Sequence, residues 1–288
     1  MNALYVLLLA VLVNIPIALY AILKKSLRIP DGLLAAAIMG ILLFMANWFY
    51  WAAVIIFFAS SSLLTRYKEK NRIKQEAMEY AEKGGTRDAF QVFANGGIAM
   101  LAAIYVIINQ GIWKGSLTDP IAIGAITSVA TVTADTWATE IGVLSRKQPV
   151  WILNPFKKVP RGTSGGISLR GIGATALGSS LIAFSYFFAA TLETKNYQKI
   201  LIITIIILIG GIFGSLVDSF LGAIIQAQYE CPVCKKITEK KVHLKCGGTI
   251  TKHVKGLKII NNDIVNVIAA LIPSIIVYFF TKYVYYPY

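Results

Sequence analysis

Eight apolar runs divide this chain, near residues 4–23, 31–47, 48–65, 88–109, 118–145, 168–190, 199–227 and 262–281. An α-helix rises about 1.5 Å per residue, so roughly 20 apolar residues cross a hydrocarbon core about 30 Å thick. The runs are therefore read as membrane-spanning helices. The second and third meet at Ala46-Asn47-Trp48, a very short turn, and the fifth and seventh exceed the length a span needs. The first run carries no small-residue cleavage site and is read as a span, not a removable leader. With 56% hydrophobic and 15% charged residues among 288, the expected fold is an all-α polytopic membrane protein of about eight transmembrane helices. Residues 1–288 then form a single membrane domain with loop modules attached.

The charges orient such a bundle. Of 28 Lys and Arg, 24 fall in alternate loops: Lys24 to Arg28, then 66–87, 146–170 and 235–258. The other side receives Lys114, Lys195, Lys199 and Lys282. Basic loops stay in the cytosol, so a cell-membrane protein with both termini outside is expected. The net charge of +14 then lies almost wholly on one membrane face. That face would attract anionic headgroups, a nucleotide or a phosphorylated lipid. No recognition module accompanies the charge, so no nucleic-acid partner is expected. Segment 66–87 has helical composition and reads as a cytosolic helical loop; 146–170 is Pro/Gly-rich shaped backbone; 228–261 holds all three cysteines and both histidines and reads as an insertion.

The acids sort to the same side. Asp88 opens the fourth span, Asp135 and Glu140 lie in the inner half of the fifth, Asp218 in the inner half of the seventh, and Asp263 opens the eighth. A carboxylate within a span costs roughly 2.5–3.5 kcal/mol on insertion scales, so acids gathered at one depth point to a shared site. Asp88, Gln91 and Asn95 fall on one helix face, and Asn261, Asn262, Asp263 and Asn266 make a second polar face. Asp135 and Glu140 are about 140° apart around a regular helix. They share a site only if the helix breaks or Glu140 serves a neighbouring position.

The loop that follows supplies complementary charge. Gly162, Gly165 and Gly166 permit backbone that turns N–H groups toward an anion; Thr163 and Ser164 add hydroxyls; Lys157, Lys158 and Arg161 add cations. The P-loop pattern does not occur in the chain. Carboxylates that hold Mg²⁺ beside a basic, glycine-rich loop are the parts needed for phosphoryl transfer from a nucleotide. The small residues Gly171, Gly173 and Gly178, and Gly210, Gly211 and Gly214, leave two readings open: close helix packing, or room for a hydrophobic chain.

Cys231, Cys234, His243 and Cys246 form a C-x₂-C-x₈-H-x₂-C pattern. Two ligand pairs at knuckle spacing can close a tetrahedral structural Zn²⁺ site, with His253 as an alternative fourth ligand. A reducing cytosolic loop with three cysteines argues against disulfides.

The stretches ADTWATEIG, FKKVPRGTSGGIS, GSLVDSFLGAIIQAQY and NNDIVN, with RDAFQVFANGG before them, resemble the integral-membrane family that includes transmembrane protein 19 of animals and plant phytyl-phosphate kinase. The resemblance covers roughly residues 30–281. It implies a polyprenyl-phosphate kinase that converts a prenyl monophosphate to the diphosphate, with CTP as the favoured donor among nucleoside triphosphates. Carried over residue by residue, it puts Asp135, Thr136 and Glu140 in an acidic motif and Lys157, Gly162, Thr163 and Gly165 in a phosphate loop. Asp218 and Asp263 would complete the metal and nucleotide site. Asp135 is the first candidate for Mg²⁺, and Lys157 and Lys158 are the candidate phosphate clamps. A CTP-dependent cytidylyltransferase making a CDP-lipid and an ion-coupled membrane transporter are the alternatives.

Overall fold

The computed structural model describes residues 2–67 and 85–285. The expected helical loop at 66–87 therefore lies mostly outside the described residues. Among the described residues, eight apolar helices run in chain order: α1 (Ala3–Leu23), α2 (Asp31–Ala46), α3 (Trp48–Arg66), α4 (Ala89–Asn109), α5 (Pro120–Gly142), α6 (Leu169–Glu193), α7 (Tyr197–Ile224) and α8 (Asn262–Phe279), the last continued by a π-helical turn, Phe280–Tyr285. Seven are long and apolar enough to cross a membrane; α2, with 16 residues, is a shorter apolar helix. Asn47 alone separates α2 from α3. Its extended backbone ends the first, and its side chain accepts from the Phe49 N–H at 2.8 Å to cap the second.

Helix α5 is the axis of the bundle. Thirteen consecutive residues, from Ala122 to Ala134, are buried, and the helix packs on α6, α7, α8, α3 and α4. Enclosure on all sides explains its small-residue composition, since apolar stripes serve only helices with one buried face. Three of its buried hydroxyls are satisfied within the helix. Thr127 donates to Ile123 O at 2.8 Å, Ser128 to Ala125 O at 2.6 Å and Thr133 to Val129 O at 2.6 Å. Helix α1, in contrast, buries only Val6, Ala10 and Ala21 and lies at the periphery against α2.

The small residues of α6 and α7 are mostly consumed by this packing. A methyl group at Gly211 would meet Ser179 Oγ and, at 2.8 Å, Ala130 Cβ; one at Gly214 would meet Thr131, and one at Gly178 would lie 2.9 Å from Thr133 O. Of the two readings, close helix approach therefore accounts for these glycines. Gly211→Leu is expected to destabilise the fold by about 1–3 kcal/mol or more through overpacking, read as a lowered Tm in detergent.

Among the described residues, named strands occur only in the loops. In 146–170, β1 (Val150–Trp151), β2 (Asn154–Lys158) and β3 (Gly166–Ile167) form an antiparallel sheet ordered β2-β1-β3. In the insertion, β4 (Gln228–Glu230) pairs with β5 (Ile237–Thr238) and β8 (Lys252–Lys255), while β6 (Val242–His243) pairs with β7 (Thr249–Ile250). The insertion is tied to the end of α7 by Leu257 N–H to Ile225 O at 2.9 Å and Ala227 N–H to Ile260 O at 2.8 Å.

At the opposite membrane face, Glu193 closes the bundle. Its carboxylate accepts from Asn47 Nδ2 at 3.0 Å and from the Leu117 N–H at 2.8 Å. Asp119 caps α5 through the Ile121 N–H at 2.9 Å. These two acids fasten helix ends together; the sequence reading took no account of Glu193.

Candidate functional site

A cavity of about 340 Å³ opens where the start of α4, the end of α5, the start of α6, the end of α7 and the start of α8 converge. This is the end of the bundle that carries the basic loops. Asp135 and Asp218 lie on facing turns of α5 and α7, close enough that Asp218 feels the charges of both Asp135 and Glu239. The amide of Asn266, turned to satisfy its neighbours, donates to Asp218 Oδ2 at 2.9 Å. Asp263 and Asn262 reach the same space from the first turn of α8, which Asn261 caps through the Ile264 N–H at 3.1 Å. Asn95 lines it from α4 and Thr136 from α5.

Glu140 also lines the cavity, and α5 remains helical to Gly142. No break is needed, because the cavity wraps around the end of the helix. Asp135 occupies the flank near Asp218. Glu140 occupies the other, where it accepts from Thr65 Oγ1 at 2.7 Å and lies within electrostatic reach of Arg87.

The roof is the loop at 162–166, and Gly162, Thr163, Ser164, Gly165 and Gly166 all line the cavity. Gly162 and Gly165 take left-handed φ values of +84° and +78°. A methyl group on Gly165 would strike Ala223 and lie 3.0 Å from Ser219 O, so the loop can sit this close to α7 only with glycine there. The backbone donors are partly spent, however. The Gly166 N–H closes a turn onto Thr163 O at 2.9 Å, and the Thr163 N–H onto Pro160 O at 3.3 Å. Arg161 and Gln226 both line the cavity, and each keeps one buried donor, Arg161 Nε and Gln226 Nε2, without a hydrogen-bond partner among the described residues. Unpaired buried donors lose hydration without recompense, which suits them to an acceptor-rich ligand such as phosphate.

Three sequence candidates fall outside this lining. Lys157 and Lys158 lie on β2, the outer strand of its sheet, and both are exposed. Lys157 Nζ rests 5.1 Å from the centre of the Trp151 ring, with Lys255 Nζ also at that ring, at 4.6 Å. Arg161, whose Nη2 is pinned to Ser145 O at 2.9 Å, is the loop cation that reaches the cavity. Asp88 caps α4: its carboxylate accepts from the Gln91 N–H at 2.9 Å in a capping box and lies 3.9 Å from Arg28. Arg161→Ala is accordingly expected to lower turnover about 10²-fold, and Lys157→Ala less than about twofold, in side-by-side activity measurements.

Sequence reasoning missed Arg87, Gln226 and Glu239. Glu239 comes from the insertion and accepts from Ser164 Oγ at 2.5 Å. No local pattern marks it, since only folding of the insertion brings residue 239 to residue 164.

The insertion gathers Cys231, Cys234, His243 and Cys246 so that their ligand atoms all lie within 4.8 Å of one another. Cys234 Sγ and His243 Nδ1 are 3.5 Å apart. A tetrahedral zinc with bonds of roughly 2.0–2.3 Å requires ligand separations of this order, so the cluster fits a metal such as zinc. The backbone N–H of Cys234, followed by the His243 side chain, pulls the Cys231 thiol down to about 6, whereas burial and the neighbouring thiols push that of Cys246 up to about 11. His253 does not join: it packs on Tyr229, with ring centroids 5.5 Å apart. The structure thus uses His243 and not the alternative histidine.

Residues 12–274 match the integral membrane protein family DUF92. The chain is 32% identical to Protein PGR of Arabidopsis thaliana over 289 residues, covering 96% of each chain. It is 32% identical to an uncharacterized membrane protein of Methanocaldococcus jannaschii, over 73% of this chain and 80% of that one. It is also 26% identical to Protein VTE6, chloroplastic, of Arabidopsis thaliana, over 85% of this chain and 63% of the relative. No solved structure matches it. With this match over most of its length, the chain belongs to the integral membrane protein DUF92 family.

Proposed function

We propose that the chain is a membrane-embedded prenyl-phosphate kinase, transferring the terminal phosphoryl group of a nucleoside triphosphate to a prenyl monophosphate. The observation that carries this reading is the convergence, on one cavity, of the acids Asp135 and Asp218 with Arg161 and Gln226, each of which keeps a buried donor without a hydrogen-bond partner among the described residues. Acids alone would suit a cation path; acids together with anion donors suit a metal–phosphate complex. The motif resemblance to plant phytyl-phosphate kinase supports the lipid class of the acceptor.

An oxygen of the acceptor phosphate attacks the γ-phosphorus. The bond from that phosphorus to the β–γ bridging oxygen breaks, leaving a lipid diphosphate and a nucleoside diphosphate. The acceptor is already anionic, so charge neutralisation matters more than a strong base. Asp135 and Asp218, with Asp263 in support, would hold Mg²⁺, which supplies positive charge to the phosphate oxygens when bound; their carboxylate oxygens are the donor set Mg²⁺ prefers. Arg161 and Gln226 hold phosphate oxygens opposite them, and the 162–166 loop covers the reacting groups. Asn95, Asn262 and Thr136 are placed to orient the nucleotide. The zinc cluster, with four protein ligands and no open position, acts as a staple. By charge asymmetry, the cavity faces the cytosol.

CTP is the favoured donor. A cytidylyltransferase would use the same parts but release pyrophosphate. Against a transporter, Glu193 and Asp119 are both engaged in closing the opposite face. Purified protein with labelled CTP or ATP, Mg²⁺ and geranylgeranyl phosphate is expected to yield the lipid diphosphate on chromatography. A CDP-lipid instead would establish the second enzyme, and no product from any prenyl phosphate would overturn both.

A further inference from the structure

Beside the polar cavity lies a second, of about 80 Å³, between α1, α2, α3 and α4. Its walls include Leu33, Ala36, Met39, Phe57 and Phe58, and it shares Arg87 and Asn95 with the polar cavity. Along α2 it extends from Leu33 to Leu43, roughly 15 Å at the helical rise. At its remote end, Trp51 Nε1 donates to Asn14 Oδ1 at 3.3 Å and Asn14 Nδ2 donates to Ala10 O at 2.8 Å, so the polar groups there are spent within the wall. Gly40 and Gly96 admit Asn14 and Met39 respectively, because a methyl group at either glycine would collide with them.

Arg87 stands where the two cavities meet. It is buried, its Nη1 donates to Ser62 Oγ at 3.0 Å, and its guanidinium lies 5.9 and 5.6 Å from the Phe57 and Phe58 ring centroids. Burial lowers its pKa to about 10, and at neutral pH it remains a cation. A single apolar slot that ends at a buried cation and joins a phosphate-competent cavity matches an amphiphile with one tail and an anionic head.

We infer that this slot holds the hydrocarbon tail of a single-chain lipid monophosphate, with the phosphate at Arg87 facing the polar cavity. The inference rests on the proposed reading of that cavity and adds a place for the acceptor's tail. A tail drawn from the bilayer gains little by moving between apolar surroundings. The slot therefore selects by shape, while charge at Arg87 supplies the attraction. Two-chain lipids such as phosphatidic acid have one tail too many for it.

A single-chain lipid phosphate bearing a mid-tail diazirine tests this on the full-length protein in nanodiscs without nucleotide, with labelled peptides mapped by mass spectrometry. Labelling is expected on α2, α3 and α4, at residues such as Met39 and Phe57. Geranylgeranyl phosphate should compete at least tenfold better than phosphatidic acid or the parent alcohol. Ala36→Phe, which fills the slot, should cut labelling at least tenfold; Ala37→Leu provides a milder plug if the first variant fails to fold. Labelling confined to α6, α7 and α8, equal competition by phosphatidic acid, or undiminished labelling of both folded variants would overturn the inference. Because the labelling assay contains no nucleotide, slot labelling together with no diphosphate in the separate assay with labelled CTP or ATP would sustain the slot while refuting the kinase reading.

Discussion

Asp135→Asn is expected to abolish phosphoryl transfer, by about 10³-fold or more, while leaving the protein folded. The substitution keeps the shape of the side chain and removes one charge from a carboxylate that faces Asp218. Loss of that repulsion, and of the cost of burying a charge, should leave Tm unchanged or raised. Catalysis should nevertheless fail, because an amide is a poor Mg²⁺ ligand and the positive charge needed at the phosphate oxygens would be lost. Parallel activity and thermal-unfolding measurements give a clear split: inactive but no less stable. A variant with wild-type turnover would remove Asp135 from the metal site, whereas an inactive, unfolded one would assign it a packing role.

Cys234→Ser is expected to act by a different route, losing zinc and disordering the insertion while the helices persist. An insertion of this size has too little core to fold unaided, and apparent zinc-binding energies of about 10–16 kcal/mol in finger peptides show how much such a staple can contribute. The variant should bind clearly less than one equivalent of zinc and unfold at lower temperature, with far-UV helical signal largely preserved. Turnover should fall roughly 10-fold or more, since Glu239 would no longer meet Ser164 over the cavity. Extraction of zinc by a strong chelator should reproduce the effect in the wild-type protein. A zinc-replete, fully stable Cys234→Ser protein would contradict the four-ligand cluster.

The apolar runs made the helices legible, because a chain in lipid must satisfy its backbone locally and run length then translates directly into span length. The knuckle was legible for a similar reason: its ligand pairs are neighbours in sequence, and spacing constrains geometry. The place of Asp135, Asp218 and Asp263 near one end of the bundle could also be read, since each sits at a countable distance from the end of its run.

Loop geometry was not legible. Lys157 and Arg161 look equivalent as residues of one basic, glycine-rich stretch, yet a strand sends Lys157 to Trp151 and a turn brings Arg161 to the cavity. Asp88 looked like another member of the acid cluster until its capping box with Gln91 gave it a local task. Charge type can be read from the letters, but direction depends on backbone the letters do not specify.

The chain by itself therefore determined a helical membrane bundle, an insertion whose ligand set fits a metal, and the place of each acid along its apolar run, all set by rules local in sequence. Tertiary structure decided which of those acids share a cavity, that Glu239 crosses from the insertion to Ser164, and that Arg87 joins a polar cavity to an apolar slot. Each of these depends on residues far apart in sequence, brought together by the packing of helices around α5. Packing is set by the shapes of many side chains at once, so no short motif records its outcome.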